Sequence, residues 1–191
     1  MSTYFKYFPK GTHTNILATD ITKRVDLSPT VLNDPYIYYP HLIEGDDRAE
    51  DIALLYYGDI SYTWLVWHSA RIVDPYYDWP ITYINFQKMI MKKYEDLSGT
   101  TGQAVVEWTQ NTTIDTNILY YKNSDDTIHI TPDTYTLSQT LSTGFVLGDW
   151  TAVRIYEYEE SLNDDKRTIN LLSDDLAPQA LREFKTIMKK S

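Results

Sequence analysis

A helix predicted over about residues 61–71 is the feature that most restricts how this chain can fold. Ser61 can cap its start, and the pair Asp74-Pro75 lies just beyond its end. Large apolar side chains occupy nearly every face of it: Tyr62, Trp64, Leu65, Val66, Trp67 and Ala70. A short helix that is apolar nearly all round must be covered on more than one side. Other parts of the chain, or a partner, therefore have to enclose it.

The residues before this helix predict a strand and a first, shorter helix. Residues 36–42 are rich in strand-forming side chains, and Pro40 restricts them to an edge or a short strand. Four apolar residues then follow at helical spacing: Ala49, Ile52, Ala53 and Tyr56. Gly58 can end that helix in the left-handed conformation. The expected order is strand, turn, helix, helix.

The remainder of the chain completes an α+β prediction. A third helix is predicted from about residue 82. Residues 98–153 look β-rich and polar, with a hairpin over 118–130, and a further strand is predicted over 153–158. The last helix is predicted over 173–190, with an apolar stripe of Leu176, Ala180, Phe184 and Ile187 and with Pro178 in its first turn.

Four segments follow from these patterns. Residues 1–35 read as an extended N-terminal arm with few internal contacts and one strand-like stretch at 21–27. The other three are a strand–helix–helix module with its following helix (36–97), a β-rich segment (98–153), and a strand with a C-terminal helix that serves contacts between subunits (154–191).

Composition excludes several classes of function. The chain of 191 residues has no cysteine, which excludes disulfides, thiolate metal sites and a cysteine nucleophile. A formal net charge of −10, with Lys and Arg in pairs at most, argues against nucleic-acid binding. No apolar stretch is long enough to cross a membrane, and we expect no signal peptide.

Aromatic residues are abundant, with 17 Tyr and 5 Trp. Tyr and Trp combine a large apolar surface with a polar tip, which suits surfaces that a partner buries. A tyrosine-rich core explains the same composition, and composition alone leaves both explanations open.

Catalytic and metal-binding motifs do not emerge from the sequence. The four histidines, His13, His41, His68 and His129, have no partners at metal-ligand spacing. His68 lies within the apolar second helix, where a packed, hydrogen-bonded imidazole is the favoured interpretation. We therefore predict no catalytic residue, no metal site and no cofactor.

Glu157 and Glu159 are the best candidates for paired catalytic acids, since two carboxylates can hydrolyse glycosides. On the predicted strand they would point the same way and repel each other. The favoured alternative is a solvated face, or one paired with Arg154, Lys166 and Arg167.

Residues 45–80 resemble a known module. The predicted order of elements over about residues 36–83 is similar to the LysM βααβ module. That order is a strand, a Gly-Asp turn, a helix with Ile52-Ala53, the pair Tyr57-Gly58, a helix with Trp64-Leu65, a turn and a second strand. The stretches 45–58 (GDDRAEDIALLYYG) and 74–80 (DPYYDWP) resemble more closely the baseplate wedge proteins of contractile-tailed bacteriophages.

Two further stretches are similar to the same family, in the same order: 19–25 (TDITKRV) and 156–169 (YEYEESLNDDKRTI). Residues 100–150 match it poorly. Ala49 stands where the family has a proline, and Ser69-Ala70 replace the asparagine that LysM sequences usually carry, which weakens a sugar-binding interpretation.

The resemblance implies a structural, non-catalytic virion protein, assembled in the host cytoplasm and present in six copies around the tail hub. Its implied partners are other wedge subunits and the lysozyme-like sheath-initiator subunit, with no nucleic acid, membrane span or small-molecule ligand. The candidate protein-interface residues are Tyr56, Trp64, Trp67, Tyr76, Tyr77, Trp79, Glu157, Glu159 and Arg167. The alternatives are a peptidoglycan-binding LysM module and a tail glycosidase that uses Glu157 or Glu159.

Overall fold

A two-stranded antiparallel sheet joins two distant parts of the chain. In this computed structural model, which describes residues 4–22, 34–141 and 150–189, strand β3 (Tyr38–Leu42) pairs with β7 (Thr168–Leu172). Ile43 N donates to Arg167 O and Ser173 N to Ile37 O. Because hydrogen-bonded pairs alternate along an antiparallel ladder, Pro40 occupies a position whose N–H would point away from β7. Its missing donor therefore costs the ladder nothing.

Contacts divide the chain into two units, Met1–Pro80 with Lys166–Ser191 (unit 1) and Ile81–Asp165 (unit 2). Unit 2 is thus inserted in the sequence of unit 1.

The helices of unit 1 follow β3 as the sequence predicts. They are α1 (Ala49–Tyr57), α2 (Thr63–Ser69) and the short α3 (Pro75–Asp78). Gly58 ends α1 with φ 74° and donates its N–H to Leu54 O. The predicted order of strand, helix and helix is therefore confirmed, while the likeness to LysM in particular stays a prediction.

The prediction of the second strand close to residue 80 is wrong. Residues 75–78 form α3, and the partner of β3 is β7, almost a hundred residues after α2. Pro75 and Pro80 remove N–H donors from the earlier segment. In β7, by contrast, Ile169 and Leu171 alternate with the exposed Thr168 and Asn170 and are buried against α1 and α2.

Two apolar clusters of unit 1 enclose α2. Val66 lies in one cluster with Ile43, Ala49, Ile52, Ala53, Ile169 and Leu171. Trp64 and Leu65 lie in the other with Phe8, Leu172, Ala177, Phe184 and Met188. The requirement that α2 be covered on more than one side is met within the chain.

The N-terminal segment makes more internal contacts than predicted. A 3-10 helix (Tyr4–Tyr7) precedes an antiparallel hairpin of β1 (Lys10–His13) and β2 (Ile16–Thr19). Phe8 is buried beside Phe184, with 6.3 Å between ring centroids. Ile21 and Thr22 lie in a turn, and the rest of the strand-like stretch at 21–27 lies outside the described residues.

The C-terminal helix is confirmed with a shifted apolar face. A 3-10 turn (Asp174–Leu176) leads into α8 (Ala177–Lys189), with Pro178 in the first turn. Ala177, Phe184 and Met188 are buried, whereas Ile187, which was assigned to the stripe, is 48% exposed.

The described residues of unit 2 form four helices and a small sheet. The helices are α4 (Tyr83–Ser98), α5 (Gln103–Gln110), α6 (Pro132–Leu141) and α7 (Ile155–Asp165). The strands β4 (Ile118–Lys122), β5 (His129–Ile130) and β6 (Thr151–Arg154) form an antiparallel sheet in the order β5-β4-β6. The hairpin predicted over 118–130 is confirmed by the β4–β5 pair.

Residues 98–158 are less β-rich than predicted. Helices α5 and α6 fall within the segment that was assigned to strands, and the strand predicted over 153–158 ends at Arg154, where α7 takes over. In α5 the buried residues are Val105, Val106 and Thr109, which is helical spacing despite their β-branched side chains.

Candidate functional site

Trp64 lies in the core of unit 1. It is 6% exposed and stacks on Phe184 with 4.8 Å between ring centroids. Trp64 therefore packs within this unit, and little of its ring is left exposed.

Trp67 and Trp79 fix the segment after α2. Their rings meet edge to face at 4.9 Å, and the indole Nε1 of Trp79 donates to Asp47 O at 3.1 Å. Both are partly buried against the cluster that contains Val66. The two tryptophans therefore attach residues 74–80 to the βααβ core.

Tyr56 is also partly buried. Its ring meets that of Tyr57 at 4.9 Å, edge to face. Burial raises the pKa of Tyr56, with Asp174 adding to the effect. The neighbouring Tyr57 hydroxyl donates to Leu172 O at 2.9 Å, which ties α1 to β7.

Tyr76 and Tyr77 project from a rigid turn, the tyrosine turn (residues 74–78). They are 79% and 67% exposed, and their rings meet edge to face at 5.0 Å. The carboxylate of Asp74 accepts from Tyr76 N, and that of Asp78 accepts from Val73 N and Asp74 N at 3.0 and 2.9 Å. Those backbone bonds lower the pKa of Asp78.

A cation completes the tyrosine turn. Lys166 Nζ donates to Tyr77 O at 2.6 Å. Lys166 lies two residues before β7, so this hydrogen bond connects the turn to the segment that leads into β7. Rigid aromatic side chains that are displayed on a fixed backbone lose little entropy when a partner covers them. Among the aromatic residues predicted to form the interface, Tyr76 and Tyr77 are the exposed ones, and the others are buried or partly buried.

Glu157 and Glu159 do not form an acid pair. They lie on α7 rather than on a strand, and residues two apart on a helix point to different sides. Glu159 is 6% exposed and accepts from Lys93 Nζ at 2.7 Å and from the Tyr94 hydroxyl at 2.5 Å. Glu157 is exposed and accepts from Arg154 N. The expectation of repulsion on one strand face is wrong.

The basic residues mostly bind backbone oxygens. Arg167 Nη1 donates to Ile43 O at 3.4 Å. Arg154 donates to Ile114 O and Thr112 O, and also to Asn117 Oδ1. Asn117 is fully buried and donates to three carbonyls at the end of α5 and just beyond it: Trp108, Thr109 and Asn111. No pattern in the sequence singles out Asn117, because a single asparagine in a polar stretch is typical of a turn.

An open cleft of about 660 Å³ lies on unit 1. It is lined by Asp34, Pro35, Tyr38, Pro40, Ser69, Ala70, Arg71, Thr168, Ile169 and Asn170. Most of these side chains are polar, so the cleft can form hydrogen bonds with a ligand but has little apolar surface for it to pack against.

The described residues contain no group of three or more His, Asp or Glu that could hold a metal ion. His68 Nδ1 donates to Trp64 O at 2.7 Å, as expected for a packed imidazole. Across those same residues, no helix combines the length and the hydropathy that crossing a bilayer requires.

Comparison with known protein families gives a match that spans most of the chain. A family model described as "Base plate wedge protein 53" matches residues 10–187 of the chain. A search among curated proteins finds no match.

Proposed function

We infer the function of this chain from its family: the chain belongs to the base plate wedge protein 53 family, which the match over residues 10–187 defines. It is accordingly a structural protein of the viral tail baseplate and associates with other baseplate subunits.

Within the baseplate, the chain acts as a non-catalytic connector that holds wedge subunits together around the hub during assembly and contraction. Six copies would surround the hub, each touching other wedge subunits and the lysozyme-like sheath-initiator subunit. The observation that carries this proposal is the tyrosine turn, where two exposed rings stand on a backbone that Asp74, Asp78 and Lys166 fix in place.

The carboxylates support a structural role as well. Glu159 is already engaged by Lys93 and Tyr94, and a buried acid held in this way is poorly placed to transfer a proton to a substrate. Glu157 is exposed on the surface of α7 and accepts a hydrogen bond from Arg154 N, which fits a surface carboxylate.

The test is assembly in the phage. Tails are purified after complementation with wild type, with Tyr76→Ser/Tyr77→Ser, or with Tyr36→Ser as the matched control, since Tyr36 is 89% exposed on the same unit. We expect the double variant to fold but to enter few particles, while the control enters normally. Normal assembly with the double variant would contradict docking through the tyrosine turn.

Carbohydrate binding by the βααβ module is the second candidate, favoured by the open cleft beside the end of α2. Isothermal titration with chitin fragments tests it. Heat that disappears in Asn170→Ala would support this candidate, and no heat with wild type would remove it.

A further inference from the structure

We propose that the outward face of α1 docks a basic, apolar segment of another baseplate subunit, in which Lys or Arg flanks leucine-like side chains. This face, called the α1 outer face, consists of Glu50, Asp51, Leu54 and Leu55. The inference rests on the proposed function only in taking the partner to be a baseplate subunit. It concerns a surface separate from the tyrosine turn.

The α1 outer face combines exposed leucines with carboxylates. Leu54 is 57% exposed and Leu55 is 80% exposed. On a helix, Leu54 lies next to Glu50 and Asp51, and Leu55 lies next to Asp51. The opposite side of α1, with Ala49, Ile52 and Ala53, is buried in the core. The helix dipole accounts for two acids in a first turn, but it does not account for two adjacent leucines in water.

The charge around this face is strongly one-sided. Residues 44–60 carry six carboxylates and one cation, Arg48. Among the described residues, neither Glu50 nor Asp51 forms an ion pair. The carboxylate of Asp51 accepts from Arg48 N at 3.2 Å. The carboxylates are therefore available to cations of a partner.

Charge also decides which partner fits. An anionic membrane surface or a nucleic acid would be repelled, and a second copy that presented the same face would be repelled in the same way. A segment with apolar side chains between Lys or Arg would bury the leucines and pair the acids at once.

The face is preformed. Ile52 and Ala53 anchor α1 in the core, and Tyr57 ties its last turn to β7. Gly58 follows without a side chain, and a Cβ placed there would meet no atom within 4 Å, so the end of the face is open to an approaching helix or strand. Docking onto this face would require no rearrangement of α1.

The experiment has two arms. In the first, a photo-crosslinking amino acid replaces Leu55 in tails assembled in the phage, with Leu97 as the matched control. Leu97 is 63% exposed and also follows two acids, Glu95 and Asp96. We expect Leu55, and not Leu97, to crosslink to one tail subunit at an apolar residue flanked by Lys or Arg. A crosslink to a second copy, to an acidic segment or to no protein would overturn the proposal.

In the second arm, a short synthetic helix of leucine and lysine is titrated onto the purified full-length chain. Binding should weaken by about tenfold or more in each of two variants, Leu54→Ser/Leu55→Ser and Glu50→Gln/Asp51→Asn. Added salt should strongly weaken binding to wild type and to the leucine variant, because both keep the carboxylates, and should have little effect on the acid variant. The charge-matched control Glu95→Gln/Asp96→Asn should change binding less than about twofold. Equal losses in the control would overturn the proposal.

The two arms separate this inference from the proposed function. If the chain were missing from purified tails, the proposed function would fail, and the peptide titration would still decide whether the α1 outer face binds a basic apolar segment. Because Leu54 and Leu55 are exposed, the leucine variant should match wild type in circular dichroism and in its unfolding midpoint. The acid variant loses the charges of the first turn of α1 and should match wild type in circular dichroism with a slightly lower unfolding midpoint.

Discussion

The indole of Trp64 stacks on the ring of Phe184, with 4.8 Å between centroids and 23° between planes, and this contact joins α2 to the C-terminal helix. Phe8 approaches the same phenylalanine from the N-terminal segment. One buried ring of α8 therefore meets both the apolar helix that follows α1 and the start of the described chain.

Phe184→Ala should lower the free energy of unfolding by about 3–5 kcal/mol, since it leaves a cavity among Trp64, Phe8 and Leu65. Urea unfolding followed by tryptophan fluorescence measures this. Ile187→Ala, on the exposed side of the same helix, is the control and should cost less than about 1 kcal/mol. Equal losses in the two variants would mean that α8 does not cover Trp64.

Glu159→Gln should destabilise the chain by about 1–2 kcal/mol, because it weakens two charge-assisted hydrogen bonds, those from Lys93 and Tyr94. The cost stays modest because Lys93 is 53% exposed and water can solvate its ammonium group. Glu157→Gln, at an exposed position of α7, should change stability by less than about 0.5 kcal/mol. A larger effect at Glu157 than at Glu159 in thermal unfolding would refute the assignment.

Stability should fall above about pH 10, the usual pKa of tyrosine. Burial raises the pKa of Tyr57 and of Tyr94, so the unfolded chain loses these protons first. The contribution of these two protonated tyrosines to the free energy of unfolding is fully present below the pKa of tyrosine in the unfolded chain, and it is lost as pH rises beyond that pKa. Urea midpoints between pH 8 and pH 11 measure the loss, and Tyr57→Phe should show a shallower decline than wild type. An unchanged slope would show that Tyr57 titrates normally.

Asp78→Ala should loosen the tyrosine turn without unfolding unit 1. The substitution removes the acceptor of Val73 N and Asp74 N, so the amides of both residues should exchange with solvent faster. Because the same bonds lower the pKa of Asp78, wild type should keep slow exchange until pH falls below the usual range of a carboxyl group. Hydrogen exchange read by mass spectrometry provides the measurement, and exchange at α1 should not change.

Apolar spacing, capping residues, glycine and proline predicted the helices whose positions depend on neighbouring residues in the sequence. The apolar spacing of Ile52, Ala53 and Tyr56 and the glycine at position 58 identified α1, and the threonine that caps α4, Thr82, accepts from Asn85 N as expected near residue 82. Pro178 correctly limited the start of α8.

The features that were missed depend on distant partners or on ambiguous residues. Nothing near β3 indicates that its partner begins at Thr168, since that pairing spans the whole of unit 2. Val105 and Val106 favour strands by propensity, yet both are buried on α5, and Val106 packs against residues of α4 and α7. The exposure of Tyr76 and Tyr77, in contrast with the burial of Trp64, likewise follows from tertiary packing.

The most direct test of the connector role compares the accessibility of tyrosines in the free chain and in purified tails. Hydroxyl-radical footprinting with mass spectrometry reads each side chain separately. In the free chain, Tyr76 and Tyr77 should react strongly because the two residues are 79% and 67% exposed. In assembled tails, we predict that both become protected. If they react as strongly in tails as in the free chain, the tyrosine turn is not the contact that holds this subunit in the baseplate.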